Sequence, residues 1–495
     1  MKKRGKTYKI FRAIGIAIII PIILLWMLTA MLYIPSLQHA VVEKICREVS
    51  RTTGFDIKIE SFHLAFPLKA SITGFEVSRN DTTFAKGEFA GVNISLMPLL
   101  SGEVEVNYIS LENIDLSTAD LIPSININGT IGFFRTTARN ISLKEEIANL
   151  RQVHIHSTDL NITLNDFADT EEDSTAINWI ANLHRGNIEN CNIRLNIPKD
   201  TMSVSADIEK LIIRDGTIDL GNEIYGIKTL ALNSSSLKYD AGNGNKENAP
   251  LRHLVFDDIN IECRNIGYTP DSTKVELNKF NFIQPGGIRV TDAYAKIFAD
   301  KGILDIEDFT INSKNGSFIK ANAKAPWQAI FGNTGNMNAL LSFGIYKEDL
   351  SALLTREQLN ALEIFDDEML KGRFVVNGNV THMNIDTMDI DIPTIANLQA
   401  NGHAKNLNDI DKLEASIDLG CVTDDIRRFV GQETNDSTPK AIIHADGNIK
   451  YATNGITTDL DIKGLDGKIK AKASYDIHNN IYETGVEIKD IDITT

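Results

Sequence analysis

From Phe55 onward, apolar and polar residues alternate with a period of two, the pattern of strands with one dry and one wet face. The clearest instance is KIKAKASYDI at 468–477. There Ile469, Ala471, Ala473, Tyr475 and Ile477 take one face, and Lys468, Lys470, Lys472, Ser474 and Asp476 take the other. EVEVNYIS (103–110), LNITLND (160–166), FVVNGNV (374–380) and TTDLDIKG (457–464) read in the same way. A second pattern interrupts the alternation: apolar, two residues, apolar, one residue, apolar. It occurs at Ile72/Phe75/Val77, Leu111/Ile114/Leu116, Phe256/Ile259/Ile261, Leu277/Phe280/Phe282, Ile306/Phe309/Ile311 and Ile488/Ile491/Ile493. The two-residue gap predicts a β-bulge or bend, in which one extra residue returns the next side chain to the same face and adds curvature. Its repetition predicts a sheet that curls with its dry side concave.

Other periods are sparser. Residues 36–53 place Leu37, Ala40, Val41, Ile45 and Val49 on one helical face, with Gly54 as a natural stop. This amphipathic helix would cap the sheet that follows or lie on a membrane at the mouth of a groove. Helical spacing also predicts an insert near 348–370 and short helices in LKEEIANLR (143–151) and STAINWIANLH (174–184). Seven pairs are expected to close hairpins: Asn128-Gly129, Asp215-Gly216, Asn315-Gly316, Asn377-Gly378, Asn401-Gly402, Asp446-Gly447 and Asp466-Gly467. An antiparallel meander is therefore the expected topology. The polar stretch 240–250 separates a first β-groove segment (55–240) from a second (250–495). The pattern is still running at IYETGVEIKDIDITT, without a polar cap. Such an end reads as the front of a longer protein, or as an edge that pairs with a partner.

The N-terminus changes the setting. Residues 1–12 form a basic tail without an acidic residue, and 13–34 run without a charge. About 20 apolar residues cross a bilayer. The run predicts an uncleaved single-pass anchor, with Ile14, Ile18, Ile22, Leu25 and Leu32 in the hydrocarbon, Trp26 at depth and Tyr33 at the interface. A cleaved signal peptide is the competing reading, although its apolar core is normally about 7–15 residues. The basic tail places the N-terminus in the cytoplasm and everything after residue 35 across the membrane.

Composition narrows the chemistry. A formal charge of −16 over 495 residues argues against nucleic acid as a partner. Cys46, Cys191, Cys263 and Cys421 lie far apart and form no zinc motif, which leaves room for one or two disulfides that the sequence does not pair. There is no phosphate loop, HExxH, GxSxG or Cys/His pairing, so neither an enzyme nor a cofactor is expected. His154 and His156 share a strand face, as do Asp389/Asp391 and Asp459/Asp461, and all are read as wet faces of strands. The dry face remains. It either seals a sandwich core or stays open to an apolar guest.

Residues 54–116 resemble the start of AsmA-like proteins, in particular the TamB-type translocation and assembly module proteins. The matching pieces are Gly54–Ile59, Phe66-Pro67, Ile72–Val77, MPLL-x-G at Met97–Gly102 and Leu111–Leu116. Beyond 120 the likeness is one of style, and the C-terminal domain expected of TamB members is not recognisable, so the chain resembles an N-terminal portion. The resemblance implies an inner-membrane anchor and a β-taco that crosses the periplasm with a hydrophobic interior. It also implies phospholipid as cargo between inner and outer membrane, a role in outer-membrane protein translocation and assembly, and an Omp85-type barrel partner. The expected groove lining is Ile72, Phe75, Val77, Ile469, Ala471, Ala473, Tyr475 and Ile477. A structural scaffold with a closed core and no lipid transport is the alternative function.

Overall fold

The computed structural model describes residues 34–65, 68–118, 121, 125–142, 144–165, 178–242, 250–285, 287–350, 354, 357–358, 368–393, 395–423, 442–464 and 467–490. The expected anchor, 13–34, lies outside these apart from Ile34. Among the described residues no helix is long and apolar enough to cross a membrane. The chain is mainly β, with few helices, and divides into two compact units: Met1–Leu211 with Asp215–Gly221, and Ile212–Arg214 with Asn222–Thr495.

The first unit opens with helix α1, Pro35–Thr53. Pro35 sits at its first turn, where a missing N–H costs nothing, and Gly54 closes it at φ 74° with its N–H donating to Ser50 O at 2.9 Å. Eight strands follow: β1 (Asp56–Ala65), β2 (Lys69–Arg79), β3 (Thr82–Ile94), β4 (Val106–Ser117), β5 (Ile125–Ser142), β6 (Ile147–Leu164), β7 (Ile180–Ile197) and β8 (Met202–Asp219). Neighbours from β1 to β6 pair antiparallel. Asn80 and Asp81, at φ 50° and 60°, form the tight turn between β2 and β3 that a twisted hairpin prefers. A short helix, Leu96–Leu100, joins β3 to β4.

Of the expected apolar stripe on α1, the side chains of Leu37, Val41 and Ile45 lie outside the described residues. Gln38 and Val42 are buried and Cys46 half-buried, while Ala40 and Val49 of the expected stripe are exposed. The Gln38 amide acts as a substitute strand residue. Its Nε2 donates to Leu64 O at 3.0 Å, and its Oε1 accepts from Leu64 N at 3.2 Å. The main-chain N–H and C=O of Leu64, at the end of β1, are thereby paired.

The antiparallel meander breaks after β6. β6 and β7 pair in parallel, with Ile155 opposite Ile188 and Leu160 opposite Ile193. Two parallel strands require a crossover of about a dozen residues, and residues 165–179 lie between them in the sequence. Of the short helices expected at 143–151 and 174–184, residues 147–151 and 180–184 are instead the beginnings of β6 and β7, while 143 and 174–177 lie outside the described residues.

The second unit contains β9 (Ile224–Ala241), β10 (His253–Thr269), β11 (Ser272–Ile283), β12 (Arg289–Asp300), β13 (Ile303–Ser313), β14 (Phe318–Pro326), β15 (Met337–Ile345) and β16 (Leu370–Asn379). It continues with β17 (His382–Ile392), β18 (Ala396–Lys405), β19 (Glu414–Thr423), β20 (His444–Ala452), β21 (Gly455–Gly464), β22 (Gly467–Asp476) and β23 (Ile481–Lys489). Every consecutive pair is antiparallel. Of the expected insert near 348–370, one turn of helix at Lys347–Leu350 is described; most of the remainder lies outside the described residues. Asp349 in that turn is 1% exposed and accepts hydrogen bonds from Ser313 Oγ (2.5 Å) and Asn315 Nδ2 (2.9 Å), which pins the turn to the β13–β14 hairpin.

Five of the seven expected turn dipeptides lie inside strands, at Asn128-Gly129, Asp215-Gly216, Asn377-Gly378, Asn401-Gly402 and Asp446-Gly447. Close approach of a neighbouring backbone explains the glycine. A Cβ on Gly129 would stand 2.0 Å from Asp159 O across the β5–β6 pair. All four cysteines are free thiols, and burial raises the pKa of Cys46, Cys263 and Cys421.

Candidate functional site: a creased apolar face

The interrupted pattern has a collective structural meaning in the first unit. Between β1 and β7 each pair of neighbours skips one position at the same level. The skipped residues are Glu60, Gly74, Glu88, Asn113, Gly132, Ser157 and Asn190, one per strand and in line. Gly74, Asn113, Ser157 and Asn190 are left-handed, at φ 57°, 51°, 54° and 54°. Glycine, asparagine and serine are small or hydrogen-bond locally, so they adopt this conformation at low cost. The register is the same on both sides of the line: Ser61 pairs with Thr73 and Ile59 with Phe75. No strand carries an extra residue there, contrary to the expected bulge. Every strand is distorted together, so side chains change phase without a register slip. In the second unit true one-residue shifts occur, as between Ile306/Ala323 and Phe309/Ala321 beside Asp308 at φ 54°.

The phase change keeps apolar residues on one face on both sides of the crease. Above it run Phe62, Ile72, Ala90, Leu111, Phe134, Ile155 and Ile188, paired strand to strand from β1 to β7. Immediately below run Ile59, Phe75, Gly87, Ile114, Ile131, Thr158 and Cys191, and below those Ile57, Val77, Ala85, Leu116, Gly129, Leu160 and Ile193. The expected lining residues Ile72, Phe75 and Val77 thus stand in three successive rows.

Burial gives the direction of the bend. The left-handed residues Asn113, Ser157 and Asn190 are exposed, whereas their successors Ile114, Thr158 and Cys191 are only 5%, 6% and 4% exposed. A strand bent toward its apolar side buries the residue in the inner corner and exposes the one at the apex. The rows themselves are mostly half-buried. Among the described residues no leucine, and of the phenylalanines only Phe84, is fully buried. A sealed core commonly buries leucine and phenylalanine along with isoleucine and valine.

In the second unit β18 to β23 carry the same kind of rows without a crease. Leu398, Cys421, Ala445, Ile462, Ile469 and Ile488 form one; Ala400, Leu419, Gly447, Leu460, Ala471 and Val486 form the next. Ala473 and Tyr475 continue the face, and Tyr475 stacks on Tyr482 at 4.5 Å. Ile477, at 37% exposed, lies just beyond β22. Opposite them, Lys472 pairs with Asp459 and Lys468 with Asp461, both at 2.9 Å. The hydrogen bond from Lys468 holds the Asp461 carboxyl below its ordinary pKa.

The polar face of the first unit carries residues the sequence singled out for other reasons. Phe133 stacks on His156 at 4.4 Å, and the Arg135 guanidinium lies 4.8 Å from the same ring. His154 Nε2 is 3.7 Å from Glu189 Oε2, and Lys210 Nζ bonds Glu189 Oε1 at 3.0 Å. Lys210, with a smaller effect from His154, depresses the Glu189 pKa. The histidines serve an aromatic and ionic cluster on the wet face. The anchor residues Ile14, Ile18, Ile22, Leu25, Trp26, Leu32 and Tyr33 lie outside the described residues. No family model matches the chain, and no curated protein matches it significantly.

Proposed function

We propose that this is a membrane-anchored periplasmic β-groove protein of cell-envelope biogenesis. Its apolar face holds phospholipid acyl chains, as cargo carried between inner and outer membrane or while outer-membrane proteins are translocated and assembled with an Omp85-type barrel. The observation that carries this reading is the set of three apolar rows, continuous over seven strands, half-exposed, and lying on the inside of the crease. A trough of this kind in water is costly unless something apolar occupies it, at about 25 cal/mol per Å2 of apolar surface. The run of 22 uncharged residues at 13–34 and the basic tail before it support a bilayer as the source of that guest. No catalytic group is needed for such a role, because the guest is bound and moved rather than transformed.

The test is lipid retention. The full chain is purified in detergent and exchanged into an amphipathic polymer, and bound phospholipid is counted by mass spectrometry. The reading expects phospholipid on the wild type and a loss of most of it from an Ile131→Asp/Phe134→Asp variant that keeps its far-ultraviolet circular dichroism. A wild type free of lipid, or equal lipid on both proteins, favours a scaffold with a closed core.

A further inference from the structure

A second line of distortion crosses the first unit on its polar face. The β5–β6 pairing passes from Thr137↔Gln152 to Ala138↔Leu150 and then to Asn140↔Asn149, so Arg139 and Arg151 have no cross-strand partner. In β7 the pairing skips His184 at the same level. Arg139, Arg151 and His184 line one concavity of about 890 Å3 together with Asn140, Asn149, Asn182, Asp215 and Thr217. The volume falls in the range of small-molecule sites, about 300–1,000 Å3.

The polar groups of this concavity are ordered. Thr217 Oγ1 donates to Asn182 Oδ1 (3.2 Å), Asn182 Nδ2 to Asn149 Oδ1 (3.0 Å), and Asn149 Nδ2 to Asn140 Oδ1 (2.9 Å). The relay runs in one direction and ends on the Asn140 amide, whose N–H groups have no acceptor among the described residues, beside Arg139. Among the described residues neither Arg139 nor Arg151 forms an ion pair or side-chain hydrogen bond, although the chain carries a formal charge of −16. Arg135 and Arg194, on the same strands β5 and β7, are paired with Glu112 and Asp159. The one carboxylate lining the concavity, Asp215, is held by His184 Nδ1 at 2.8 Å. Two guanidinium groups and an amide donor without a partner among the described residues therefore line one space, in which the described residues place no uncommitted anion.

We propose that this concavity binds the phosphate group of an anionic ligand, with Arg139 and Arg151 gripping its oxygens and the Asn140 amide donating a third hydrogen bond. Arginine matches phosphate with paired N–H donors, and such charge-assisted bonds are among the strongest available to a side chain. The volume leaves space for more than the phosphate itself, so the ligand carries further polar groups, as a phospholipid headgroup or a soluble phosphate ester does. The site lies on the wet face, and it stands or falls independently of acyl-chain binding on the dry face.

The experiment uses the full chain in neutral detergent at constant ionic strength. Inorganic phosphate is titrated calorimetrically into the wild type, Arg139→Gln, Arg151→Gln and the double variant, with Arg264→Gln as a control outside the concavity. The expected result is saturable binding by the wild type and the control, about tenfold weaker binding by each single variant, and none by the double variant, at unchanged circular dichroism. Competition then identifies the source. Displacement of phosphate by dihexanoyl phosphatidic acid assigns a lipid headgroup, and displacement by glycerol phosphate alone assigns a soluble ester. No saturable binding by the wild type, or equal binding by the double variant, overturns the proposal.

Discussion

Asn113 offers a sharp test of the crease. It is exposed, its φ is 51°, and its Nδ2 donates to Glu88 Oε2 at 2.5 Å across the β3–β4 pair. Left-handed backbone costs an L-residue about 1–2 kcal/mol, and a β-branched residue is a genuine outlier there. The exposed hydrogen bond to a carboxylate adds at most about 1 kcal/mol. Asn113→Val should therefore destabilise the crease by about 2–3 kcal/mol. Asn113→Gly, which loses the hydrogen bond but relieves the strain, should fall within about 1 kcal/mol of the wild type. At about 1.4 kcal/mol per factor of ten, the valine variant should speed hydrogen exchange of the Gly87, Ile114 and Ile131 amides by roughly 30- to 140-fold. Exchange by mass spectrometry on peptides spanning β3 to β5 gives the readout, and peptides from β20 to β22 serve as an internal reference. Equal protection in the valine variant and the wild type would refute the reasoning. So would a glycine variant as unprotected as the valine one, because the left-handed requirement penalises valine and not glycine.

Three further outcomes follow from the same geometry. Gln38→Ala removes both hydrogen bonds at the end of β1 and leaves Leu64 N–H and C=O unpaired, so it should cost about 1–3 kcal/mol. That loss should be read as faster exchange at Leu64 and a lower urea midpoint. Gly132→Ala would place a Cβ 2.3 Å from Ser157 O, which forces β5 and β6 apart and should cost about 1–3 kcal/mol of thermal stability on the scale of overpacked cores. A Gly242→Ala control has its nearest new neighbour, Arg252 Nη1, at 3.3 Å, and should not disturb the β5–β6 amides. The hydrogen bond from His253 Nδ1 at 3.0 Å, assisted by Lys238, depresses the Asp240 pKa. The contribution of this contact to β9–β10 pairing is complete above the unfolded carboxylate value of about 3.9 and is lost as pH falls through the lower folded value. Carboxyl-carbon NMR titration should show Asp240 moving back toward the ordinary range in His253→Ala.

Much of the β-structure was legible because period-two alternation is a direct consequence of the pleat. The KIKAKASYDI alternation is seen within β22, with Lys470 and Lys472 exposed and Ile469, Ala471 and Ala473 half-buried, whereas Ile477 is exposed beyond its end. The interrupted pattern also carried a real signal. In five of its six occurrences the second gap residue is left-handed: Gly74, Asn113, Asp258, Asp308 and Asp490. What the pattern could not reveal is that the distortions align across strands, since alignment depends on register. The same device misled the helix assignments. In LKEEIANLR and STAINWIANLH the apolar residues Ile147/Leu150 and Ile177/Ile180/Leu183 lie three apart, and a two-residue gap between apolar positions is shared by the crease and by a helix face. The parallel β6–β7 pair left no local trace, because strand direction is decided by the crossover rather than by the strand. The turn dipeptides failed because glycine serves a close backbone approach as readily as a turn. The arginine concavity draws Arg139, Arg151 and His184 from three strands, and only their register brings them together.

The central claim is that the dry face stays open to an apolar guest. The most direct measurement is photocrosslinking from a benzophenone side chain placed at single positions of the full chain in native membranes. Ile72, Phe134 and Ala471 stand on the dry face; Glu76, Thr130 and Lys472 stand on the wet one. The account predicts phospholipid adducts from the first set and none from the second. Adducts to residues of the protein's own facing strands from the dry positions, with no lipid attached, would contradict it.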